Sequence, residues 1–210
     1  MVRAFIVLCS LVFISSLFAQ EDTVKFRYQS MLKGTATISP GSSNDPHVGP
    51  RTNIYINGDL EYFPEENASL RGEIFWMVGT QQKPALLKDN STLLFGGLYH
   101  THVNRLDLFI GLQPGVSLTK PADLTFNYLI ISGSSTVNTT ETISFNYKVL
   151  PVISPIIGVT FYASDYFNFF LNMRYVKEKY FGYYAGQSLL LDEFRLSAGL
   201  GFQIHLKKKK

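Results

Sequence analysis

The chain has 210 residues, of which 46% are apolar, 14% aromatic and only 17% charged, with a formal net charge of +3. The four lysines that end the sequence exceed this small surplus, so nothing in the charge pattern indicates a nucleic-acid-binding surface. The single cysteine, Cys9, lies in a segment that we predict to be removed, which excludes a disulfide framework and a cysteine-based metal site in the mature chain.

The first 19 residues are predicted to form a secretory signal peptide. Arg3 supplies a positive charge, an uncharged run follows from Ala4 to Phe18, and Ala19 precedes a polar stretch. This order is typical of cleaved export signals, and the run is shorter than the roughly 20 residues of a membrane-spanning helix. The predicted divisions of the chain are therefore a signal peptide at 1–19, one mature domain at 20–206 and a basic tail at 207–210.

The first four predicted strands run over 33–38, 53–63, 69–79 and 92–99. In the second strand, Ile54 and Ile56 alternate with polar residues, and because successive side chains of a strand point to opposite faces, it has one apolar and one polar face. The connection 39–50 is rich in proline and is predicted to be a loop, whereas 64–68 and 100–104 are predicted to be short turns.

The last four predicted strands run over 105–117, 147–162, 166–176 and 194–206. Pro151 and Pro155 remove backbone donors from the sixth strand, so we predict a kink or bulge there. The connection 177–190 is predicted to be a loop. The eighth strand is the clearest, because from Phe194 to Leu206 every even position is apolar and every odd position is polar or glycine.

These elements predict an all-β chain whose domain at 20–206 is an outer-membrane barrel, namely an eight-stranded antiparallel up-and-down transmembrane β-barrel. The connections alternate between long and short, as they do when short turns lie in the periplasm and long loops lie outside. The longest connection, 118–146, contains two strand-like runs and is predicted to be a long outer hairpin between strands five and six; a ten-stranded barrel is a variant. A soluble lipocalin-like barrel is the competing fold, but its outer face would carry many more charged residues.

The apolar strand faces are predicted to contact lipid and the polar faces to line the lumen. We take Leu196, Leu200, Ile54 and Ile74 as lipid-facing, and Arg195, Arg71 and Glu61 as lumen-facing, with Arg71 opposite Glu61. The aromatic belts are predicted to consist of Tyr62, Tyr162 and Tyr166 near the turns and of Trp76 and Tyr175 near the loops.

The polar strand faces carry charges of both signs, which are predicted to form a lumen charge network. Its members are Lys33, Asp59, Glu61, Arg71, Glu73, Arg105, Asp107, Arg174 and Arg195. The interior of an eight-stranded barrel is only just wide enough to be filled by side chains, and buried charges must pair. We therefore predict a structural network that plugs the barrel, with a narrow path for ions or small solutes as the alternative.

In its architecture the chain resembles the small eight-stranded outer-membrane barrels of Gram-negative bacteria, the OmpX-like, OmpA-barrel-like and OmpW-like families. The resemblance covers nearly the whole chain after residue 19 and involves no family-specific motif. Many such proteins end on an aromatic residue that the assembly machinery recognises, whereas here Phe202 and Leu206 are followed by lysines. The resemblance implies a location in the outer membrane.

The predicted function is that of a non-enzymatic surface scaffold or accessory subunit of an outer-membrane complex. The predicted partners are outer-membrane lipid and another outer-membrane protein that binds the hairpin at 118–146. Structureless loops of this length are uncommon unless they are functional, and two strand edges left without partners invite pairing. The residues assigned to the partner surface are Phe126, Tyr128, Ile130, Phe145 and Tyr147.

No catalytic residue, cofactor site or metal site is predicted. His100 and His102 would share one face of an extended segment, but we expect them in an exposed turn without a neighbouring carboxylate or thiol. Two other functions are considered, a narrow pore for small solutes and a lipid-modifying enzyme. The enzyme would depend on His47, whose loop also contains serines and Asp45, and catalysis needs such groups in a rigid geometry.

Overall fold

A computed structural model of the protein describes residues 28–45, 49–81, 87–132, 135–184 and 187–206. Its strands are β1 Met31–Asp45, β2 Gly49–Tyr62, β3 Ala68–Thr80, β4 Leu87–Val103, β5 Leu106–Pro121, β6 Leu124–Ser132, β7 Ser135–Ile143, β8 Lys148–Tyr162, β9 Phe167–Tyr184, β10 Gln187–Leu190 and β11 Glu193–His205. The predicted signal peptide, His47 and the lysine tail lie outside the described residues. No helix in the described part of the chain is long and apolar enough to cross a membrane.

Eight of the strands close into an antiparallel barrel. Their order around the wall is β11, β1, β2, β3, β4, β5, β8 and β9, and β9 pairs with both β8 and β11, which closes the ring. The strands β6 and β7 form a separate two-stranded sheet, and β10 pairs with the far end of β9. The fold is thus the predicted eight-stranded barrel, and a ten-stranded wall is excluded.

The side chains of the wall alternate between an exposed apolar outer face and a buried polar interior. Leu200 is 61% exposed and Ile74 53% exposed, whereas Arg71, Arg195 and Glu61 are buried. This confirms the predicted orientation of the two faces. It also rules out the lipocalin-like alternative, since a soluble barrel would not expose a continuous apolar surface around its wall.

The strands are longer than predicted at the end of the barrel away from the short turns. The predicted loop 39–50 is wrong, because β1 and β2 stay paired from Ala36 and Gly58 as far as Asp45 and Gly49. The predicted loop 177–190 is mostly occupied by β9 and β10. The segment 39–50 looks like a loop because it is polar and rich in proline, and 177–190 because its charged residues and glycines break the alternation, yet the described backbone of each pairs with a neighbouring strand.

The predicted turn between β4 and β5 is also misplaced, because β4 is longer than predicted. Residues 100–103 were predicted to lie in an exposed turn, but β4 continues to Val103, so only two residues connect the strands. Asn104 in this connection has a positive φ of 55°, a conformation that asparagine tolerates better than most residues. His100 therefore becomes part of the wall, with its side chain buried inside the barrel.

Three prolines interrupt the backbone ladders without disturbing the register. Pro40 lies in a gap of the β1–β11 ladder, Pro114 in a gap of the β4–β5 ladder and Pro155 in a gap of the β8–β9 ladder. Each of the three pairs normally with the strand on the opposite side of its own strand. The register of β8 with β5 is constant throughout, so the bulge predicted as one alternative near Pro151 and Pro155 is absent, and Pro155 instead leaves a gap in the β8–β9 ladder. Each proline costs ladder pairs on one side only, because it lacks an N–H.

Side chains bridge the gap between β1 and β11, where the first and last strands meet. The backbone pairing stops after Thr35 and resumes at Gly41. In between, the Thr37 hydroxyl donates to the carbonyl of Ala198 at 2.7 Å, and the Ser39 and Ser197 hydroxyls lie 2.5 Å apart. These bonds hold the seam where the ladder is missing.

One member of the predicted aromatic belts is misplaced. Tyr62, Tyr166 and Trp76 are exposed on the outer face, and Tyr175 is partly exposed. Tyr162 is instead fully buried inside the turn end of the barrel, so its assignment to a belt is wrong. Its strand is apolar on both faces around the two prolines, which hides the alternation that would have assigned it.

Candidate functional site: the filled lumen and the outer hairpin

The turn end of the lumen contains a cluster formed by Lys33, Glu61, His100 and Asp107, which we call the turn-end cluster. Lys33 Nζ lies 2.6 Å from Glu61 Oε2. His100 lies between two carboxylates, with Nε2 3.1 Å from Glu61 Oε1 and Nδ1 3.0 Å from Asp107 Oδ1. All four side chains are essentially inaccessible, so each charge is balanced by a neighbour and not by water.

Tyr28, just before β1, caps this cluster. Its ring stacks on His102 with centroids 3.5 Å apart, and its hydroxyl donates to the carbonyl of Asn104 at 2.9 Å. It also meets Tyr162 edge-on at 5.3 Å. Burial raises the pKa of the Tyr28 hydroxyl well above its usual range, which keeps it a neutral donor. The turn end is thus closed by an aromatic layer over the ion pairs.

Ser69, His100 and Asp107 have the spacing of a hydrolytic triad, but their bonding differs from one. Ser69 Oγ lies 2.8 Å from His100 Nε2, and His100 Nδ1 lies 3.0 Å from both oxygens of Asp107. However, Ser69 Oγ donates to Glu61 Oε1 at 2.5 Å, so the imidazole is not the acceptor of its proton. All these groups are buried, and we interpret the arrangement as structural.

The middle of the lumen is crossed by the central cluster, Asp59, Arg71, Glu73 and Arg174. Arg71 Nη2 lies 2.7 Å from Asp59 Oδ2, and Arg71 Nε lies 3.3 Å from Glu73 Oε2. The same Glu73 oxygen also contacts the guanidinium of Arg174, whose Nη1 donates to Gln113 at 3.0 Å. Glu73 therefore stands between two arginines and joins them.

The far end of the lumen is filled by the outer cluster, Glu178, Glu193 and Arg195. Arg195 Nε lies 2.7 Å from Glu193 Oε2, and its guanidinium carbon is 4.0 Å from the centre of the Tyr55 ring. Asn53 also donates to Glu193, at 2.9 Å. A crevice beside this cluster has a volume of about 10 Å³, room for about one water molecule.

The structure brings together eight of the nine residues assigned to the lumen network and buries all eight. The exception is Arg105, which lies at the short-turn end and donates to the carbonyl of Ala163 at 3.2 Å. Glu178, Glu193 and His100 also lie buried in these clusters, although they were not predicted to belong to the lumen network. Glu178 continues the inward alternation of Arg174 and Val176, a signal that the predicted loop concealed.

Among the described residues, no group of three or more His, Cys, Asp or Glu side chains is placed to hold a metal ion.

The β6–β7 sheet stands beyond the barrel between β5 and β8. Phe126, Tyr128, Ile143 and Tyr147 are exposed, Phe126 at 48% and Tyr128 at 43%. Phe145 is partly buried, and the side chain of Ile130 is not among those described. Of the residues assigned to the partner surface, the structure therefore exposes Phe126, Tyr128 and Tyr147.

A set of polar contacts, which we call the hairpin clamp, holds the base of this sheet. Lys88 Nζ lies 3.0 Å from Asp123 Oδ2, and this bond lowers the pKa of the Asp123 carboxyl. The Tyr147 hydroxyl donates to Asp89 at 2.9 Å, which raises the pKa of that hydroxyl. Lys120 Nζ lies 5.4 Å from the centre of the Tyr147 ring. The clamp ties both ends of the β6–β7 sheet to β4 and β5.

A closed wall of eight antiparallel strands, apolar outside and filled with paired charges, defines the fold of the small outer-membrane β-barrels. Solved structures of this class are similar to the chain. Neisserial surface protein A matches with a TM-score of 0.56 at 8% identity, over 85% of this chain and 98% of that one. OprG from Pseudomonas aeruginosa matches with 0.52 at 10% identity, over 86% and 98%. The Yersinia pestis attachment invasion locus protein Ail matches with 0.51 at 10% identity, over 84% and 99%. No family model matches the sequence, and no curated protein matches it.

Proposed function

We propose that the protein is an integral, non-enzymatic scaffold of a bacterial outer membrane, with a sealed lumen and with the β6–β7 hairpin as its binding surface. The observation that carries the proposal is a contrast within one molecule. The lumen is packed with paired charges, whereas the hairpin exposes aromatic side chains that the barrel does not need. A partner from the outer membrane, protein or lipid, would cover them.

The apolar outer wall supports the location. Each of the eight wall strands exposes leucine, isoleucine or phenylalanine side chains on the outer face of the barrel. Such an apolar surface is stable only in contact with lipid. The eight-stranded fold that the chain shares with outer-membrane proteins supports the same membrane.

The packing of the lumen supports a barrel that does not conduct. Charged side chains at three levels meet each other across the interior, and a layer of Tyr28, Phe63 and Tyr162 lies over the turn end. An open path would need several buried ion pairs to separate at once. The pore is therefore the second candidate, and conduction measurements separate the two.

We expect the folded protein to show no steady open-channel steps in planar bilayers. Ions would have to displace the buried contacts of Glu73 with Arg71 and Arg174, and breaking such contacts is costly. A known channel protein recorded in the same bilayers would establish the sensitivity of the measurement. Regular steps from this protein would contradict the sealed lumen and favour the pore.

The two unpaired strand edges of the hairpin support its role as a binding surface. Within the described residues, β6 and β7 pair only with each other. Strand edges with unpaired N–H and C=O groups accept an added strand, and apolar side chains held above a membrane need cover. The hairpin clamp fixes the base of the sheet, so this surface has a defined position relative to the barrel.

We expect replacement of residues 124–143 by a short Gly/Ser turn to leave a heat-resistant folded barrel, because all eight wall strands pair without the hairpin. The same change should abolish the retention of any partner that copurifies from native membranes. Glu65→Ala, at an exposed position in the short turn at the opposite end of the barrel, is the control and should retain the partner. A partner that remains bound to the deletion variant, or a deletion variant that no longer folds, would refute the proposal.

A further inference from the structure

The separate β6–β7 sheet has the same pairing register as the β5–β8 ladder of the wall. The last barrel pair is Thr119 with Lys148, and the first hairpin pair is Leu124 with Ile143. Each strand thus advances by five residues between these two pairs, so the pairing resumes with no net slip. Because side chains alternate with a period of two, the faces of the hairpin resume in phase with those of the barrel.

This phase assigns each face of the hairpin to a side of the barrel. The outward face of the hairpin, in phase with the lipid-facing residues of β5 and β8, carries Leu124, Phe126, Tyr128, Glu141 and Ile143. The described side chains of the opposite face, in phase with the lumen, are threonine and asparagine, and here Thr140 donates to Asn127 at 2.9 Å. Leu129 and Ile131 share this face by position, and their side chains are not among those described.

The outward face stands above the hydrocarbon layer. The outward apolar residues of β5 run from Leu108 to Leu118, roughly 33 Å along the strand and about 25 Å along the membrane normal at the usual tilt, which matches the apolar band of an outer-membrane barrel. The charged side chains of the hairpin clamp follow directly. Phe126 lies eight residues beyond Leu118, which at the rise and tilt of the wall strands corresponds to about 20 Å along the membrane normal.

Phospholipid head groups do not reach this height. Their layer adds only about 5–8 Å to each side of the hydrocarbon core. A lipid that covers Phe126 and Tyr128 must therefore have a much longer polar part, such as a chain of sugars. Because this face is in phase with the lipid-facing side of the wall, its nearest neighbours are the lipids that surround the wall.

The chemistry of the outward face suits sugars better than phosphates. Its described side chains include no cation, and its one charge is the carboxylate of Glu141, 3.4 Å from the hydroxyl of Tyr128. A lone carboxylate would repel phosphate, whereas aromatic rings pack on the C–H faces of sugar rings, and hydroxyl and carboxylate groups bond to sugar hydroxyls.

We propose that the outward face of the hairpin binds the oligosaccharide part of an outer-leaflet glycolipid. This inference rests on the proposed function in taking the hairpin as the interaction surface. It identifies the partner of the aromatic face as a lipid-linked sugar. The strand edges of the hairpin remain available for pairing with a protein.

The test uses a single tryptophan as reporter in the full chain with Trp76→Phe. Tyr128→Trp places the reporter on the outward face, and Asn127→Trp places the matched control on the opposite face. Each variant is folded into vesicles of phosphatidylcholine alone, with lipid A, or with lipopolysaccharide that carries its core oligosaccharide. We expect the emission of the first reporter to shift to shorter wavelength only with the core oligosaccharide, and the control to stay unchanged.

Three outcomes would overturn the inference: equal emission in all three vesicles, an equal shift at both positions, or a shift that follows the protein-to-lipid ratio, which would indicate a second copy. Heat-modifiable migration on gels establishes folding, and Phe126→Trp replaces Tyr128→Trp if the latter does not fold. The proposed function fails separately, when the hairpin deletion retains every copurifying component.

Discussion

Replacing Glu73 with alanine is expected to lower the free energy of unfolding by about 3–5 kcal/mol, because the change leaves buried charges without their counterion. The Glu73 carboxylate contacts Arg71 and Arg174 and accepts a 3.0 Å hydrogen bond from Asn57. Without it, two guanidinium groups face each other in an interior that water does not reach. Urea titration of the folded barrel in lipid vesicles, followed by tryptophan fluorescence, measures the loss.

A double substitution separates the charge effect from the loss of volume. Glu73→Leu with Arg174→Leu removes one charge of each sign, and Arg71 keeps its bond to Asp59. Replacement of a buried ion pair by apolar residues of similar size is often nearly neutral, so the double variant should be clearly more stable than Glu73→Ala. Equal stability of the two variants would show that the central cluster is not organised by charge.

Leu200→Arg is expected to destabilise the barrel in bilayers by about 2–4 kcal/mol, since it places a cation on the lipid-facing side near the membrane midplane. Leu200 is the outward residue near the centre of β11. The same substitution at Ile204, on the same face but near the strand end, should cost only about 0–1 kcal/mol, because the charge reaches the interface. Equilibrium unfolding in vesicles measures both values.

The depth dependence is the decisive part of this comparison. If Leu200→Arg and Ile204→Arg lose the same stability, the wall does not sit in lipid as its apolar surface indicates. Leu200→Ala controls for the loss of the side chain itself, because it removes apolar area without adding a charge.

The wall could be predicted because lipid on one side and ion pairs on the other impose an unbroken alternation, as from Phe194 to Leu206. Above the membrane this constraint ends. The far ends of β1 and β2 are polar on both faces, so their sequence resembles a loop although Asp45 pairs with Gly49. Backbone pairing between two polar strands leaves no periodic pattern to find.

The members of the lumen network could be predicted better than its bonds. The expected register of Arg71 opposite Glu61 is confirmed, yet the Arg71 guanidinium contacts Asp59 and Glu73, its diagonal and next-neighbour carboxylates. A long side chain reaches beyond its cross-strand neighbour, and alternation does not specify the direction. The bond from Arg174 to Gln113 joins residues 61 positions apart, which no local pattern reveals.

The seam between β1 and β11 closes the barrel by pairing its first strand with its last. Over the interval from Ala36 to Pro40, hydroxyl groups replace the backbone bonds of the ladder. Hydroxyl contacts between short side chains can be lost by rotation about one bond, whereas a ladder must be pulled apart residue by residue. When the barrel opens, β1 and β11 should therefore separate before any other pair of neighbouring strands. The amide hydrogens of β11 that face the gap should exchange with solvent before those of any wall strand whose backbone pairing is continuous.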